Sequence, residues 1–246
     1  MYERADMPFL KELAIRFAHV EGGAVTVYRA LTNPAFASIL TGAPPDIHGV
    51  RDNNLGQPIR VEALPDVIPS RLYGSMHVEH FSKPHWEVTV FSLIKDGALG
   101  AEKKLFARLG EDILCYPEVR LFIADISMVD FTGHSYGHYS RQCLEAASTV
   151  DSLIRDFWIS IEERGFLEDT AVVISSDHGL FVVEHSYLIS GIERFVPLIF
   201  AGRGIARGTG IQGPVSIMDI NACVSYLLGV PYCADSAGSV LPFAGS

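Results

Sequence analysis

Apolar runs alternate with amphipathic stretches along the chain, and that alternation predicts the elements. Pro8 to Ala18 reads as a short amphipathic helix with Phe9, Leu13 and Phe17 on one face. Ala24 to Leu31 is strand-like, and Pro34 to Leu40 forms a second helix with Pro34 in its first turn. From Pro44 to Lys83 the chain is rich in Pro, Gly and Asn, which predicts loops with short strands. His77 and His80 fall in a strand-like part of this region and read as structural or solvent-facing. Trp86 to Leu93 is a strand, Leu99 to Leu114 a helix, and Val119 to Ser127 a buried apolar strand. Cys143, Ala147, Val150, Ile154, Trp158 and Ile161 mark one face of a long helix that Gly165 ends. Ala171 to Ser175 and Val196 to Ala201 are further buried strands, and Ser216 to Leu228 is a last helix ended by Gly229.

Apolar strands separated by helices predict an α/β fold with a mainly parallel sheet covered on both faces. In such sheets the ligand site lies beyond the carboxyl ends of the strands. The 246 residues, 48% of them hydrophobic, suffice for one sizeable core, so 1–246 reads as a single domain with 44–95 as a substrate-binding insertion. The net charge is −10 and no Lys/Arg run stands out, which predicts no nucleic-acid-binding face. An acidic chain that handles anions needs local positive charge, and metal ions can supply it. Cys115, Cys143, Cys223 and Cys233 form no CxxC pair, which predicts free thiols in a reducing, cytoplasmic setting. No segment has the length of a membrane span, and the N-terminus has no signal-peptide apolar region.

Three polar clusters follow predicted strands. Thr32-Asn33-Pro34 leads to Ser38 and Thr41-Gly42; Asp130 to Gly137 contains Asp130 and His134; Ser176-Asp177-His178-Gly179 is followed by His185. Carboxylate and imidazole together are typical ligands of zinc and similar ions. Each cluster has a plainer alternative: Thr32 as a helix N-cap, Asp-x-x-Gly-His as a turn, Asp-His-Gly as an ordinary strand end. All three in this order, each at a strand end, favour chemistry.

The stretch from Thr32 to Gly42, followed by Pro45-Asp46-Ile47-His48-Gly49-Val50, resembles the nucleophile motif of type I phosphodiesterases and nucleotide pyrophosphatases, members of the alkaline phosphatase superfamily. Its Thr-Asn-Pro opening and Thr-Gly-Ala-Pro-Pro also resemble phosphonoacetate hydrolases. Asp130-x-x-Gly-His134-x-x-Gly137 and Ser176-Asp177-His178-Gly179 are similar to the metal motifs of that superfamily, and Val196 to Gly202 to its late core strand.

The resemblance implies a three-layer α/β/α sandwich, alkaline phosphatase-like, and two divalent metal ions, usually zinc. It implies Thr32 as nucleophile, Asp130, His134 and His185 on one ion, and Asp177 and His178 on the other. It implies a small-molecule phosphate ester or phosphonate as substrate, hydrolysed through a phosphothreonine. Asn33 and Asn54 are the candidate substrate contacts.

Two departures stand out. The family's first strand, which ends in a metal-binding Asp, has no counterpart ahead of Pro8, and Asp6 reads as part of a helix cap. The missing strand would expose sheet edge and favour a homo-oligomer. Phosphodiesterases also commonly carry Asn where this chain has Ala35. The rival expectation is a non-catalytic metal-binding pseudoenzyme or fragment.

Overall fold

The computed structural model describes residues 2, 4–183, 185 and 190–244. In chain order its elements are α1 (Pro8–Arg16), β1 (Ala18–Val20), β2 (Ala24–Val25), α2 (Thr32–Thr41), α3 (Pro45–His48), α4 (Leu64–Val67), β3 (Ser70–Gly74), α5 (Met76–Phe81), β4 (Glu87–Val90), α6 (Leu93–Asp96), α7 (Ala98–Cys115), β5 (Leu121–Ala124), α8 (Met128–Tyr136), α9 (Arg141–Glu163), β6 (Ala171–Ser175), α10 (Gly191–Arg194), β7 (Phe195–Val196), β8 (Leu198–Gly202), β9 (Thr209–Ile211) and α11 (Asp219–Leu228).

β4, β3 and β5 form a parallel sheet in that order, and β6, β8, β1 and β9 form a second. In the second, β1 runs parallel to β9, while β8 is antiparallel to both β1 and β6. A short β2–β7 pair joins the loop before α2 to the start of the late core strand. Pro197, which has no N–H to give a ladder, separates β7 from β8.

Strand alternation shows the layers. On β3, Leu72 packs with Phe36, Leu40 and Phe81 of α2 and α5, whereas Tyr73 packs with Leu105 and Leu109 of α7. Adjacent strand residues point to opposite faces, so α7 and the α2–α5 pair cover opposite sides of the sheet. β5 repeats the division, with Ile123 on one side and Phe122 and Ala124 on the other. α1 packs on β1, β8 and α9. The result is the expected α/β/α arrangement.

β5 and β6 are the exception to good burial. Among the described residues β5 pairs only with β3 and β6 only with β8. Every residue of both strands is partly exposed, while Leu198 to Ala201 of β8 are buried. The strands end at the same place: Asp177, after β6, is close enough to Asp125, after β5, for its charge to act there. β5 and β6 are thus edge strands of their two sheets among the described residues.

Several expected boundaries differ. The strand foreseen over Ala24 to Leu31 shrinks to Ala24–Val25, because the following residues bond to loops; Thr26 N–H donates to the Arg194 carbonyl. The strand-like region around His77 is helical, with Ser75 capping α5. Its hydroxyl accepts the His77 N–H, and this local bond outweighs the strand-like pattern. The Asp130 segment is helix α8, and Asp130 and His134 lie one turn apart on it. Asp6 does not cap α1: Asp151 of α9 accepts the N–H groups of Phe9 and Leu10 at 3.0 and 2.8 Å. The four cysteines are free thiols. No helix among the described residues is long and apolar enough to cross a membrane.

Candidate active site

Thr32 is the first residue of α2, and Leu31 occupies the cap position without a side-chain bond. The threonine hydroxyl is thus not spent on capping. Its Oγ1 lies 3.3 Å from Nε2 of His178. Capping, the plainer reading of Thr32, fails on this geometry.

His178 follows β6 and is buried, and His185 lies seven residues on in the same segment. α8 brings Asp130 and His134 to meet them. Gly133 makes the approach possible, since a Cβ there would lie 2.4 Å from Leu180 Cδ2. Gly179 does the same on the other side, where a Cβ would meet the Ile192 carbonyl oxygen at 1.8 Å.

The expected ligands form one cluster. Ligand atoms of Asp130, His178 and His185 all lie within 4.8 Å of one another. His134 Nε2 is 3.5 Å from Asp130 Oδ1 and 3.0 Å from His185 Nε2. Asp177 Oδ2 is 3.1 Å from His178 Nε2, and the His178 and His185 rings stack at 3.8 Å. The division expected between two ligand sets is crossed, because His178 sits with Asp130 and His185.

The ring orientations bear on what the cluster holds. Nδ1 of His134 lies 2.8 Å from the Val183 carbonyl oxygen, Nδ1 of His178 lies 3.1 Å from that of Gly179, and Nδ1 of His185 bonds that of Ala30. A carbonyl oxygen only accepts, so each Nδ1 carries the proton and each Nε2 presents a lone pair. Two such lone pairs face each other between His134 and His185. Only a cation or a proton relieves that contact. Imidazoles anchored through Nδ1 beside carboxylates are what a zinc-type ion needs, so the residues fit the group. Burial, followed by the charge of His178, lowers the pKa of His185 and favours the neutral form that binds metal.

The candidate substrate contacts are placed differently from each other. Asn33 is fully buried, and its backbone N–H donates to Asn53 Oδ1 at 2.9 Å. Asn54 is exposed and its N–H donates to Asp52. It is therefore Asn53, rather than Asn54, that touches the nucleophile's helix. Ala35 is buried in the main core.

The sequence profile of type I phosphodiesterases/nucleotide pyrophosphatases matches residues 1–65 and 63–198. The chain belongs to this hydrolase family. Among curated proteins, zebrafish (Danio rerio) arylsulfatase K is 33% identical over 109 residues, which is 42% of this chain and 20% of that protein. GPI ethanolamine phosphate transferase 1 of Gibberella zeae is 28% identical over 204 residues, 72% of this chain and 20% of that protein. The matches thus span about a fifth of the length of these curated relatives. Among solved structures, the murine ectonucleotide pyrophosphatase/phosphodiesterase 5, an inactive form in complex with AMP, has a TM-score of 0.72 at 12% identity and covers 98% of this chain and 92% of that one. The phosphonate monoester hydrolase of Silicibacter pomeroyi has a TM-score of 0.70 at 16% identity, covering 97% and 71%. At these identities the structural likenesses speak for the alkaline phosphatase-like fold.

Three polar residues of this phosphodiesterase-family site escaped the sequence reading. His77 Nδ1 lies 2.9 Å from Asn33 Oδ1, and the ring feels the charges of Asp130, Asp177 and His178. It lies at the edge of the ligand cluster, partly exposed and tied to the buried Asn33. Asp125 ends β5 and accepts from Ser75 and Ser127 at 3.3 Å; burial and then Asp177 push its carboxyl up to about 6. Glu102 of α7 accepts the N–H groups of Ser127 and Met128 at 2.8 and 2.9 Å, at the start of the metal-ligand helix α8. Burial raises its carboxyl to about 7. A His at the end of a parallel strand was the one available sequence signal, and the local strand-like pattern hid it.

Proposed function

We propose that the chain is a metal-dependent hydrolase of phosphodiesters, phosphomonoesters or phosphonates that works through a phosphothreonine at Thr32. The observation that carries this reading is the Thr32 hydroxyl, free of any capping role and 3.3 Å from His178 Nε2 in a cluster of Nδ1-anchored imidazoles. Asp130, His134 and His185 would hold one divalent ion and Asp177 would help hold the other, with His178 within reach of both groups; zinc is the ion that the donor set suits best. Bound there, the ions would supply the positive charge that makes a threonine hydroxyl acidic and offsets charge on the phosphoryl group.

The chain's own groups do the rest. Thr32 sits at the N-terminus of α2, where the helix dipole favours an anion, although the Asn33 N–H is taken by Asn53 Oδ1 and Pro34 has none to give. Its Oγ1 gives its proton to solvent and attacks phosphorus, and the leaving oxygen departs with the bonding pair. Water then cleaves the phosphothreonine, and Thr32 regains a proton. Asn54, on an exposed loop, would meet only an outer part of a substrate, and the buried Asn33 would act only through its neighbours.

Similarity to proteins named for AMP binding and for phosphonate monoester hydrolysis supports a phosphorus-centred substrate. Arylsulfatases use an aldehyde hydrate made from Cys or Ser, which Thr32 cannot provide. The match to an ethanolamine phosphate transferase favours a second reading, in which an acceptor hydroxyl replaces water in the second step. The Thr32 hydroxyl, uncommitted to capping and beside His178, weighs against a non-catalytic metal binder.

The test is hydrolysis by the zinc- or manganese-loaded chain of a nitrophenyl phosphodiester, a nitrophenyl phosphomonoester, phosphonoacetate and nitrophenyl sulfate. Activity on a phosphorus ester, lost in Thr32→Ala with metal content unchanged, is expected. Turnover of the sulfate alone, or full activity in Thr32→Ala, would overturn the proposal. Turnover that appears only with an added alcohol would establish the transferase reading.

A further inference from the structure

We propose that His77 is a catalytic residue that donates a hydrogen bond from Nε2 to a non-bridging oxygen of the phosphoryl group, with Asn33 as its positioning residue. The assignment rests on the phosphate-ester reading above.

Placement comes first. β3 runs parallel to β5, and the chain leaves it at Gly74 to enter α5 at the end of the sheet where Asp125 lies. His77 is in the first turn of α5, partly exposed. It therefore stands at the carboxyl ends of the strands, within electrostatic reach of Asp130 on α8.

Orientation comes second. Nδ1 is 2.9 Å from Asn33 Oδ1, and an amide oxygen only accepts, so Nδ1 is the donor. Nε2 is then the nitrogen left to face a ligand. Asn33 is a rigid reference for the ring: it is fully buried, its N–H is tied to Asn53, and it is bonded directly to Thr32. The imidazole is in this way set in register with the nucleophile. Asn33 itself is sealed from solvent, its Nδ2 buried without a hydrogen-bond partner, which leaves the partly exposed His77 as the contact.

Electrostatics come third. The charged groups that act on the ring are His80 on its own helix, Asp130 on α8, and Asp177 and His178 after β6; Asn33, on α2, is uncharged. Yet His77 is absent from the group whose ligand atoms lie within 4.8 Å of one another. The ring is thus near enough to the cluster for Asp130, Asp177 and His178 to act on it without being one of its converging ligands. In the free protein, burial and then His80 favour the neutral ring. A bound phosphoryl anion reverses that balance, so the ring takes a proton from solvent and Nε2 becomes a donor. The bond then formed is charge-assisted.

The probe is inorganic phosphate, titrated calorimetrically into the zinc-loaded chain near neutral pH in two buffers of different ionisation heat. Wild type is expected to take up more protons than His77→Gln. His77→Ala should bind phosphate roughly 10- to 100-fold more weakly, the size of one lost charge-assisted bond, with zinc content unchanged. Asn33→Asp, which keeps the acceptor oxygen, should retain phosphate binding and shift the proton uptake to higher pH. Equal affinity and equal proton uptake in wild type and His77→Ala would overturn the assignment while leaving the phosphate-ester reading intact. Loss of zinc from His77→Ala would make the residue a metal ligand and overturn its role as donor. A wild-type chain that binds zinc but no phosphate would defeat the phosphate-ester reading, and this assignment with it.

Discussion

Glu102 offers a sharp test of how the metal-ligand helix is held. Its carboxylate is buried, and one oxygen accepts both free N–H groups at the start of α8. Those bonds lower its pKa, but burial outweighs them and carries it from 4.5 to about 7. A carboxyl whose folded pKa is raised stabilises the fold when protonated. That contribution is complete below pH 4.5 and is lost as pH rises through about 7. The shift of about 2.5 units corresponds to about 3 kcal/mol. Glu102→Gln keeps the acceptor oxygen and the shape but cannot ionise. Wild type and variant should therefore melt together at acid pH. The variant should gain as pH rises, until at pH 8 to 9 it is ahead by roughly 6–12 °C for a chain of this size. Asp125, itself pushed up to about 6, repels the charged Glu102, so the difference between the two proteins reports Glu102 together with its coupling to Asp125. Thermal melts of both proteins every half pH unit, with metal removed, provide the assay. A difference in melting temperature that stays flat with pH, or a wild type that gains on the variant as pH rises, would refute the reasoning.

Two further outcomes follow from the packing and the ligand set. Gly179→Ala should expel the His178 segment, because its Cβ would overlap the Ile192 carbonyl oxygen at 1.8 Å. It should cost about 1–3 kcal/mol or more and weaken zinc binding, whereas Gly133→Ala, which meets only the flexible end of Leu180, should be milder in both melts and metal titration. Zinc titration should find one ion bound firmly, since Asp130, His178 and His185 already converge, and a second bound weakly, since Asp177 lies outside that convergent group. Asp130→Ala and His134→Ala should each release metal; unchanged stoichiometry in both would make α8 a purely structural helix.

Much of the fold was legible because its strongest signals are long and periodic. α9 and β6 appear where the apolar spacing places them, and α7 within a residue at each end. What was hidden depends on partners distant in sequence. β1 and β9 are only three residues each and exist because they pair with each other, and β1 with β8. α5 looked strand-like until Ser75 supplied a cap. In the site, Thr32, Asp130, His134, Asp177, His178 and His185 were nameable from motif, and the structure brings them together. The sharing of His178 between the two expected ligand sets was not legible, because the rings of His134 and His185 are turned by the carbonyls of Val183 and Ala30, 49 and 155 residues away, and only that of His178 by its neighbour Gly179. His77 and Glu102 were invisible for the same reason: each acts through a partner at least 25 residues away, Asn33 or the start of α8.

The central claim is that Thr32 carries the phosphoryl group during turnover. Acid quenching of the zinc-loaded chain with an excess of its best phosphorus ester, followed by peptide mass mapping, tests it directly. The account predicts a phosphoryl adduct on Thr32 in wild type, absent from Thr32→Ala. An adduct on another residue, or steady turnover by Thr32→Ala at the wild-type rate, would contradict it.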